Sequence, residues 1–270
     1  MKPLNIILSI LLLPLSVLAQ TTVLSPVGAR SWGMGNAMTA LPNELSFFYN
    51  PAGLSFAEQN YVNSSFDSRF DIAGLSTASL SASFQTSGLT IAAGAERFGD
   101  RLYNENKAGL AVSKNTGLVS IGIKASYLGS YAENITSSAT LLTEFGVMAK
   151  LHSQVNMGFH AQNLTGARLV DGQKLPTTLR LGLAFLPIKQ VAISAETAYT
   201  LQHKPFFRAG LEYAMKENLF LRTGINTQIK TNHFGIGYAY KQWQIDYAAN
   251  THPALGLSHH ISLNLRWQKK

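Results

Sequence analysis

The chain has no cysteine and little charge: only 13% of its 270 residues are Asp, Glu, Lys or Arg, against about 25% in soluble domains. No disulfide can therefore stabilise it. Beyond the N-terminus it also lacks any apolar run of the roughly 18 residues that a membrane helix needs. Hydrophobic residues nevertheless make up 46%, and the mean hydropathy is +0.06. This combination favours a protein that meets lipid through alternating strands.

The one long apolar run lies at the N-terminus, where Leu4 to Leu18 follow a short basic start. Small residues precede Ala19, as a signal peptidase requires, so we expect cleavage near Ala19. An uncleaved anchor helix is the alternative, and Pro14, which interrupts the run, disfavours it. Residues 1–19 are therefore predicted to be a signal peptide of an exported protein.

Fourteen later segments have strand character, and most are near the length of a tilted strand that crosses a bilayer. Alternation is clear in several; in one, Ile121 and Ile123 share a face and Lys124 lies on the other. Connections after even-numbered segments are short, and several after odd-numbered segments are longer, which is typical of outer-membrane barrels. The segments are roughly residues 60–70, 72–85, 88–97, 107–115, 118–128, 138–151, 155–165, 177–187, 190–200, 205–215, 218–228, 231–241, 243–250 and 258–268.

These features predict an all-β fold: a transmembrane antiparallel β-barrel of about 14 strands over residues 59–270. The expected location is the outer membrane of a Gram-negative-type cell. A soluble β-sandwich is the structural alternative. It would carry charge on its outer faces, whereas the apolar faces of these segments carry hardly any.

Charged residues in the strands fall on the less apolar face. A basic side chain on the lipid face near the bilayer midplane costs roughly 2–4 kcal/mol, so we expect these residues to line the lumen. They either pair with one another in a polar interior or line a path for a solute, and both interpretations stay open. The residues are Lys124, Glu144, Arg180, Glu196, Arg208, Glu212, Arg222, Asp246 and Arg266.

Aromatic residues recur near strand ends, where Tyr and Trp suit the boundary between acyl chains and headgroups, although strand propensity also favours them. They are Tyr61, Tyr127, Tyr131, Phe185, Tyr199, Phe206, Trp243 and Trp267. The formal net charge is +8, which suits anionic lipid headgroups or an anionic solute. No basic run or basic-aromatic stripe points to nucleic acid.

One stretch, residues 27–56, does not alternate. Its apolar residues come in clusters that glycines and prolines interrupt, with a short helix expected within residues 29–41. Irregular backbone is tolerated at membrane depth only when it is buried in protein or lines a cavity. We therefore expect residues 20–58 to form a plug, or hatch, in the lumen of the barrel.

Two motifs in this stretch, GARSWGMGNAMTAL and NELSFFYNPAGLSF, resemble the N-terminal signature of the PorV/PorQ-like branch of the FadL superfamily of outer-membrane barrels. The resemblance implies a fourteen-stranded barrel with an N-terminal hatch. The matching residues are Gly28, Ala29, Arg30, Gly33, Met34, Gly35 and Asn36, then Asn50, Pro51, Ala52, Gly53 and Leu54.

The resemblance also implies a choice of function. PorV-like members are accessory barrels of type IX secretion, which bind exported or secretion-system proteins. FadL-like members pass hydrophobic small molecules past a movable hatch and sideways into the bilayer. We expect the first role, a noncatalytic accessory in protein export or surface attachment, and hold the second as the alternative.

The sequence shows only weak matches to nucleotide-binding, catalytic or metal-binding motifs. Gly33-Met34-Gly35 lacks the third glycine of a nucleotide-binding loop, and no nucleophile elbow marks a serine. His259 and His260 point to opposite faces of a strand, so they do not share a metal ion easily. We expect no enzyme activity, no metal and no cofactor. The expected partners are outer-membrane lipid and either proteins or hydrophobic small molecules.

Overall fold

A computed structural model describes residues 26–57, 59–86, 88–134, 136–169, 172, 174–201, 203–228 and 231–268. The predicted signal peptide lies outside these residues. They fold into a closed barrel of fourteen antiparallel strands. The strands are β1 Asn60–Ser68, β2 Ser76–Gln85, β3 Thr90–Gly99, β4 Tyr103–Asn115, β5 Val119–Ala132, β6 Thr136–His152, β7 Val155–Gln162, β8 Thr178–Ile188, β9 Val191–Thr200, β10 Phe206–Lys216, β11 Leu219–Asn226, β12 Thr231–Tyr240, β13 Trp243–His252 and β14 Gly256–Trp267.

Every strand pairs with its neighbours in the chain, and β1 pairs with β14 from Asn60↔Trp267 to Ser68↔His259. This last pairing closes the sheet and leaves no free strand edge. The predicted fourteen-stranded antiparallel barrel is confirmed. No helix among the described residues is long and apolar enough to span a membrane.

The alternation along each strand separates an apolar outside from a polar inside. In β5, Ile121 and Ile123 are 48% and 60% exposed, whereas Ser120, just before them, and Lys124, just after them, are buried. Because the period of a strand is two, the same separation extends along the whole segment. The outside is thus suited to acyl chains.

The predicted long connections at residues 98–106, 129–137 and 251–257 are wrong. The flanking strands continue their pairing almost to the turn, as in Gly99↔Asn104 and His252↔Gly256. Backbone pairing does not need apolar side chains, so polar residues extend the ladder beyond the apolar band. The predicted long connection at residues 166–176 is confirmed, since β7 ends at Gln162 and β8 begins at Thr178.

The long connection folds back into the barrel. Leu169 and Leu175, in this connection, pack in a buried cluster with Leu128 of β5 and Leu142 of β6. The cluster occupies the inside of the wall at the rim opposite the chain termini. The connection therefore covers part of that mouth.

Two smaller predictions also differ from the structure. β2 begins at Ser76 because a short 3₁₀ helix, Ala73–Leu75, precedes it. Tyr61, expected at the headgroup boundary, points inward at 2% exposure, and its hydroxyl donates to the carbonyl oxygen of Asn43 at 2.8 Å. In β1 the odd positions face the lumen, and Tyr61 follows that parity.

Candidate functional site: the N-terminal segment against the wall

The N-terminal segment, residues 26–57, contains two short helices, α1 (Ala29–Gly33) and α2 (Ser46–Tyr49), and a 3₁₀ helix, Pro51–Ser55. The helix expected within residues 29–41 stops at Gly33, since Gly35 and Asn36 adopt positive φ values of 61° and 64°. Nearly every residue of the segment is buried. It is enclosed by side chains that face inward from the barrel wall.

Hydrogen bonds join the two motifs of the segment to each other. The Tyr49 hydroxyl lies 2.6 Å from the Ser31 hydroxyl and accepts from the backbone N–H of Val27 at 3.1 Å. The Asn50 side chain donates to the carbonyl oxygen of Thr39 at 2.8 Å. Through these contacts the second motif holds the backbone of the first in position.

Asn50 also starts the 3₁₀ helix. Its Oδ1 accepts from the backbone N–H of Ala52 at 3.1 Å, and Pro51 occupies the first helical position, where no N–H is needed. The Asn50 amide reaches the wall as well, donating to the Val147 carbonyl of β6 at 3.3 Å. The Asn-Pro pair therefore fixes both the turn and its contact with the barrel.

Paired glycines in the wall lie where the segment touches it. Gly210 and Gly224 are direct partners across β10 and β11, and a Cβ atom on either would collide with the backbone of Met34 or Gly35. Only glycine allows so close an approach of one backbone to another. The same holds for Gly122 and Gly158, which face the backbone of Pro51 and Thr39. Their cross-strand partners, Gly146 and Gly182, lie against the Asn50 side chain and, less tightly, against Ala40.

An ion-pair network anchors α1 to the wall. The Arg30 guanidinium donates twice to Glu212 of β10, at 2.7 and 2.9 Å, and to both carboxylate oxygens of Glu44 of the segment, at 3.0 and 3.4 Å. Glu212 also accepts from Arg222 at 2.5 Å, and Arg222 donates to Asp246 at 2.7 Å. Two-pronged contacts between arginine and carboxylate are strong and directional, so they set the position of α1.

A second set of contacts holds the middle of the segment. Glu196 accepts from the backbone N–H of Thr39 at 3.1 Å and from Arg208 at 3.2 Å. Lys124 donates to the carbonyl oxygen of Phe47 at 2.9 Å and pairs with Glu144 at 2.8 Å. The wall thus presents charges of both signs to backbone groups of the segment.

Trp32 stacks on wall histidines. Its ring lies 4.0 Å from that of His260, nearly parallel, and 5.9 Å from that of His233, and the Arg69 guanidinium sits 5.6 Å above it. His260 is held in turn by Asp67 at 2.8 Å. From the sequence, His233 and His260 were considered only as metal ligands, although the alternation of β1, β12 and β14 places Asp67, His233 and His260 on the inner face.

The structure buries eight of the nine residues predicted to line the lumen and leaves Arg266 half-buried at the terminal end of β14. Seven of the eight pair with one another: Lys124 with Glu144, Glu196 with Arg208, and Arg222 with both Glu212 and Asp246. Arg180 differs, since no ion pair joins it to a carboxylate among the described residues, and its Nε has no hydrogen-bond partner there.

A groove of about 810 Å³ lies on the outer surface, across β14 and β1–β4. Its floor is made of small outward-facing residues, including Ser64, Ala78, Ala95 and Ala108. Larger apolar side chains, among them Phe66, border it. The pairings beneath it, from β1–β2 through β3–β4, are unbroken, so the wall is thin here but continuous.

Among the residues that the structure describes, no cluster of three or more His, Cys, Asp or Glu has the arrangement of a metal site. His260 is buried and His259 is not, which separates the two neighbours. The two N-terminal motifs and the inward charges form one connected assembly.

Comparison with known proteins identifies similar folds. No protein-family model matches the chain, and no curated protein matches it in sequence. Among solved structures, the toluene transporter TbuX of Ralstonia pickettii has a TM-score of 0.69 and 12% identity, covering 92% of this chain and 99% of its own. The toluene transporter TodX of Pseudomonas putida has a TM-score of 0.68 and 13% identity, covering 92% and 100%. A FadL homologue of Pseudomonas aeruginosa has a TM-score of 0.63 and 10% identity, covering 91% and 99%. The chain has the fold of these barrels.

Proposed function

We propose that the chain is a noncatalytic outer-membrane channel of the FadL type for hydrophobic small molecules, and that residues 26–57 are the plug that closes it. The observation that carries this proposal is the placement of the segment within a barrel of transporter-like fold. Its contacts run around the wall, from β14 through β10 to β5. A solute that enters the barrel therefore meets the plug.

The kind of attachment also supports a plug that can be released. The backbone lies on paired glycines, which offer a smooth surface, and α1 has its own ties to the wall: Gly28 and Ala29 donate to Asp67 and Ser262, and Arg30 pairs with Glu212. Release of α1 would break these ties but no pairing between strands. The groove over β1–β4 offers a solute an apolar surface on the outside of the wall.

An accessory role of the PorV/PorQ type is the second candidate, and it rests on the resemblance of the two N-terminal motifs. One observation favours it: the connection at residues 163–177 packs Leu169 and Leu175 into the mouth opposite the chain termini. A barrel covered at that mouth and plugged inside suits contact with exported or secretion-system proteins. The fold comparisons favour the channel.

The test is a reversible lock on the plug. The chain has no cysteine of its own, so an engineered pair reacts alone. The backbone N–H of Ala29 donates to the Ser262 hydroxyl at 2.7 Å, so Ala29→Cys with Ser262→Cys should join α1 to β14. We expect oxidation to block uptake of labelled toluene into cells that carry the variant, and a reductant to restore it.

A matched control locks the base of the plug. The hydroxyls of Ser55 and Ser120 lie 2.5 Å apart, so Ser55→Cys with Ser120→Cys joins the 3₁₀ helix to β5 where the segment is continuous with β1. This lock should leave uptake largely unchanged. Toluene uptake that equals that of cells without the protein would contradict the channel. Co-purification of the same cells' exported proteins with the locked barrel would then support the accessory role.

A further inference from the structure

The charge of the molecule is concentrated at one rim. We call it the terminal rim: the turns that follow even-numbered strands, together with the end of β14. Six cations lie there among the described residues, against one carboxylate, Glu217. The cations are Lys114, Lys150, Lys189, Lys216, Lys241 and Arg266.

The rest of the described chain is close to neutral. Inside the barrel, cations and carboxylates alternate and most are paired. At the opposite rim, four cations, Arg101, Arg168, Lys174 and Lys204, are largely offset by three carboxylates, Asp71, Asp100 and Glu133. The positive net charge of the sequence therefore belongs mainly to the terminal rim.

Exposed apolar side chains lie next to the cations of this rim in the sequence. Ile188 (56% exposed) precedes Lys189, and Met215 (50% exposed) precedes Lys216. Leu118, at 70% exposure, occupies the turn after Lys114. The same combination recurs at successive turns around the rim.

The turn between β12 and β13 shows the geometry in most detail. Tyr240 and Trp243 are 60% and 49% exposed, and the Lys241 ammonium lies 5.3 Å from the centre of the Tyr240 ring. Tyr and Trp prefer the boundary between acyl chains and headgroups. A lysine at that depth extends its ammonium towards the phosphates while its stem stays on apolar surface.

We propose that the terminal rim binds the phosphate headgroups of anionic glycerophospholipids in the leaflet that it faces, which is the periplasmic leaflet if the chain is the outer-membrane barrel proposed above. The repetition of the pattern favours lipid over a protein partner. A leaflet meets a barrel along its whole circumference, whereas a protein docks on one side. Each lysine or arginine near an anionic surface strengthens such binding, and the effect fades within a Debye length.

The test uses the tryptophans of the rim. Trp243 and Trp267 lie on β13 and β14, whereas the third tryptophan, Trp32, is buried in the plug. The full chain is reconstituted in phosphatidylcholine vesicles with added brominated phosphatidylglycerol or brominated phosphatidylcholine, and quenching of fluorescence gives the relative binding of each lipid. We expect phosphatidylglycerol to bind about five times more strongly, the factor that one lysine contributes at an anionic surface.

Two variants of equal net charge locate the effect. Lys216→Gln with Lys241→Gln removes two cations of the terminal rim, and Arg101→Gln with Lys204→Gln removes two from the opposite rim. The preference should vanish in the first and persist in the second. It should also weaken when salt rises from about 0.1 M to about 1 M, which shortens the Debye length from about 10 Å to about 3 Å.

Equal quenching by the two brominated lipids in the unaltered protein would overturn the proposal and leave an acidic protein as the partner of this rim. So would a preference that the Lys216→Gln, Lys241→Gln variant retains. Neither outcome depends on transport, so failure here is distinct from failure of the channel.

Discussion

The Arg30 guanidinium of the plug and the Glu212 carboxylate of the wall form a two-pronged ion pair, with distances of 2.7 and 2.9 Å. Glu212 stands between two arginines, since Arg222 approaches it from the wall. The same carboxylate thus serves the barrel and the plug. When the plug leaves the wall, the Arg30 guanidinium must donate its hydrogen bonds to water or to another acceptor in place of Glu212.

The first prediction concerns this pair. Arg30→Gln should loosen α1 and raise the conductance of the barrel in planar bilayers. Loss of one partner of a buried pair costs about 3–5 kcal/mol, and the partial exposure of Arg30 (19%) favours the lower end. Lys241→Gln, which removes a cation of the terminal rim, is the control and should leave conductance unchanged. Equal conductance of Arg30→Gln and the unaltered protein would show that the pair does not hold the plug.

The second prediction concerns the paired glycines. Gly210→Ala places a methyl group against the backbone of Met34, so it should displace the plug while β10 and β11 stay paired. Overpacking of this kind costs about 1–3 kcal/mol. Protease cleavage within residues 26–57, followed by mass spectrometry, measures the displacement. Gly129→Ala is the control, because the nearest atom to its added Cβ lies 3.7 Å away, at ordinary contact distance. Equal cleavage of both variants would refute the close approach.

The third prediction tests the plug as a whole. Deletion of residues 27–54 should leave the barrel inserted, because all fourteen strands and their pairings lie outside the deletion. Conductance should rise well above that of the full chain. The fraction of protein that resists alkaline extraction from vesicles checks insertion. An inserted barrel with unchanged conductance would mean that the segment does not close the lumen.

The fourth prediction tests the facing of the wall. Ile123→Arg puts a charge on the lipid face further from the terminal rim, where the cost rises to roughly 2–4 kcal/mol towards the midplane, so insertion into vesicles should fall. Ser130→Arg, on the half-buried inner face near the other end of β5, should insert normally. If Ser130→Arg inserted less well than the variant on the lipid face, the inward and outward faces of β5 would be the reverse of those assigned.

Ser120 is unsuitable as the inward control, although its alternation alone would recommend it. Its hydroxyl donates to the Ala52 carbonyl at 2.6 Å, and the residue has no exposed surface. An arginine there would meet the plug. Ser120→Arg should therefore insert but behave like Gly210→Ala under protease.

The strands of the wall, and the face on which each of their residues lies, follow from local sequence alone. A strand turns its side chains over every residue, so Ile121, Lys124 and Ile123 are assigned to their faces by position alone. The number of strands followed from the count of such segments. The irregular composition of residues 27–56 was also a local property, and it marked the segment as something other than wall.

The contacts between the plug and the wall, by contrast, depend on the closed barrel. Ala29 binds Ser262, which lies 233 residues away, and Arg30 binds Glu212, 182 residues away. No local pattern encodes such contacts, since they depend on the register of all fourteen strands and on where the closed wall places each inward residue. The inward glycines were visible in the sequence, but their pairing across strands, and the backbone they admit, exist only once the barrel closes around the plug.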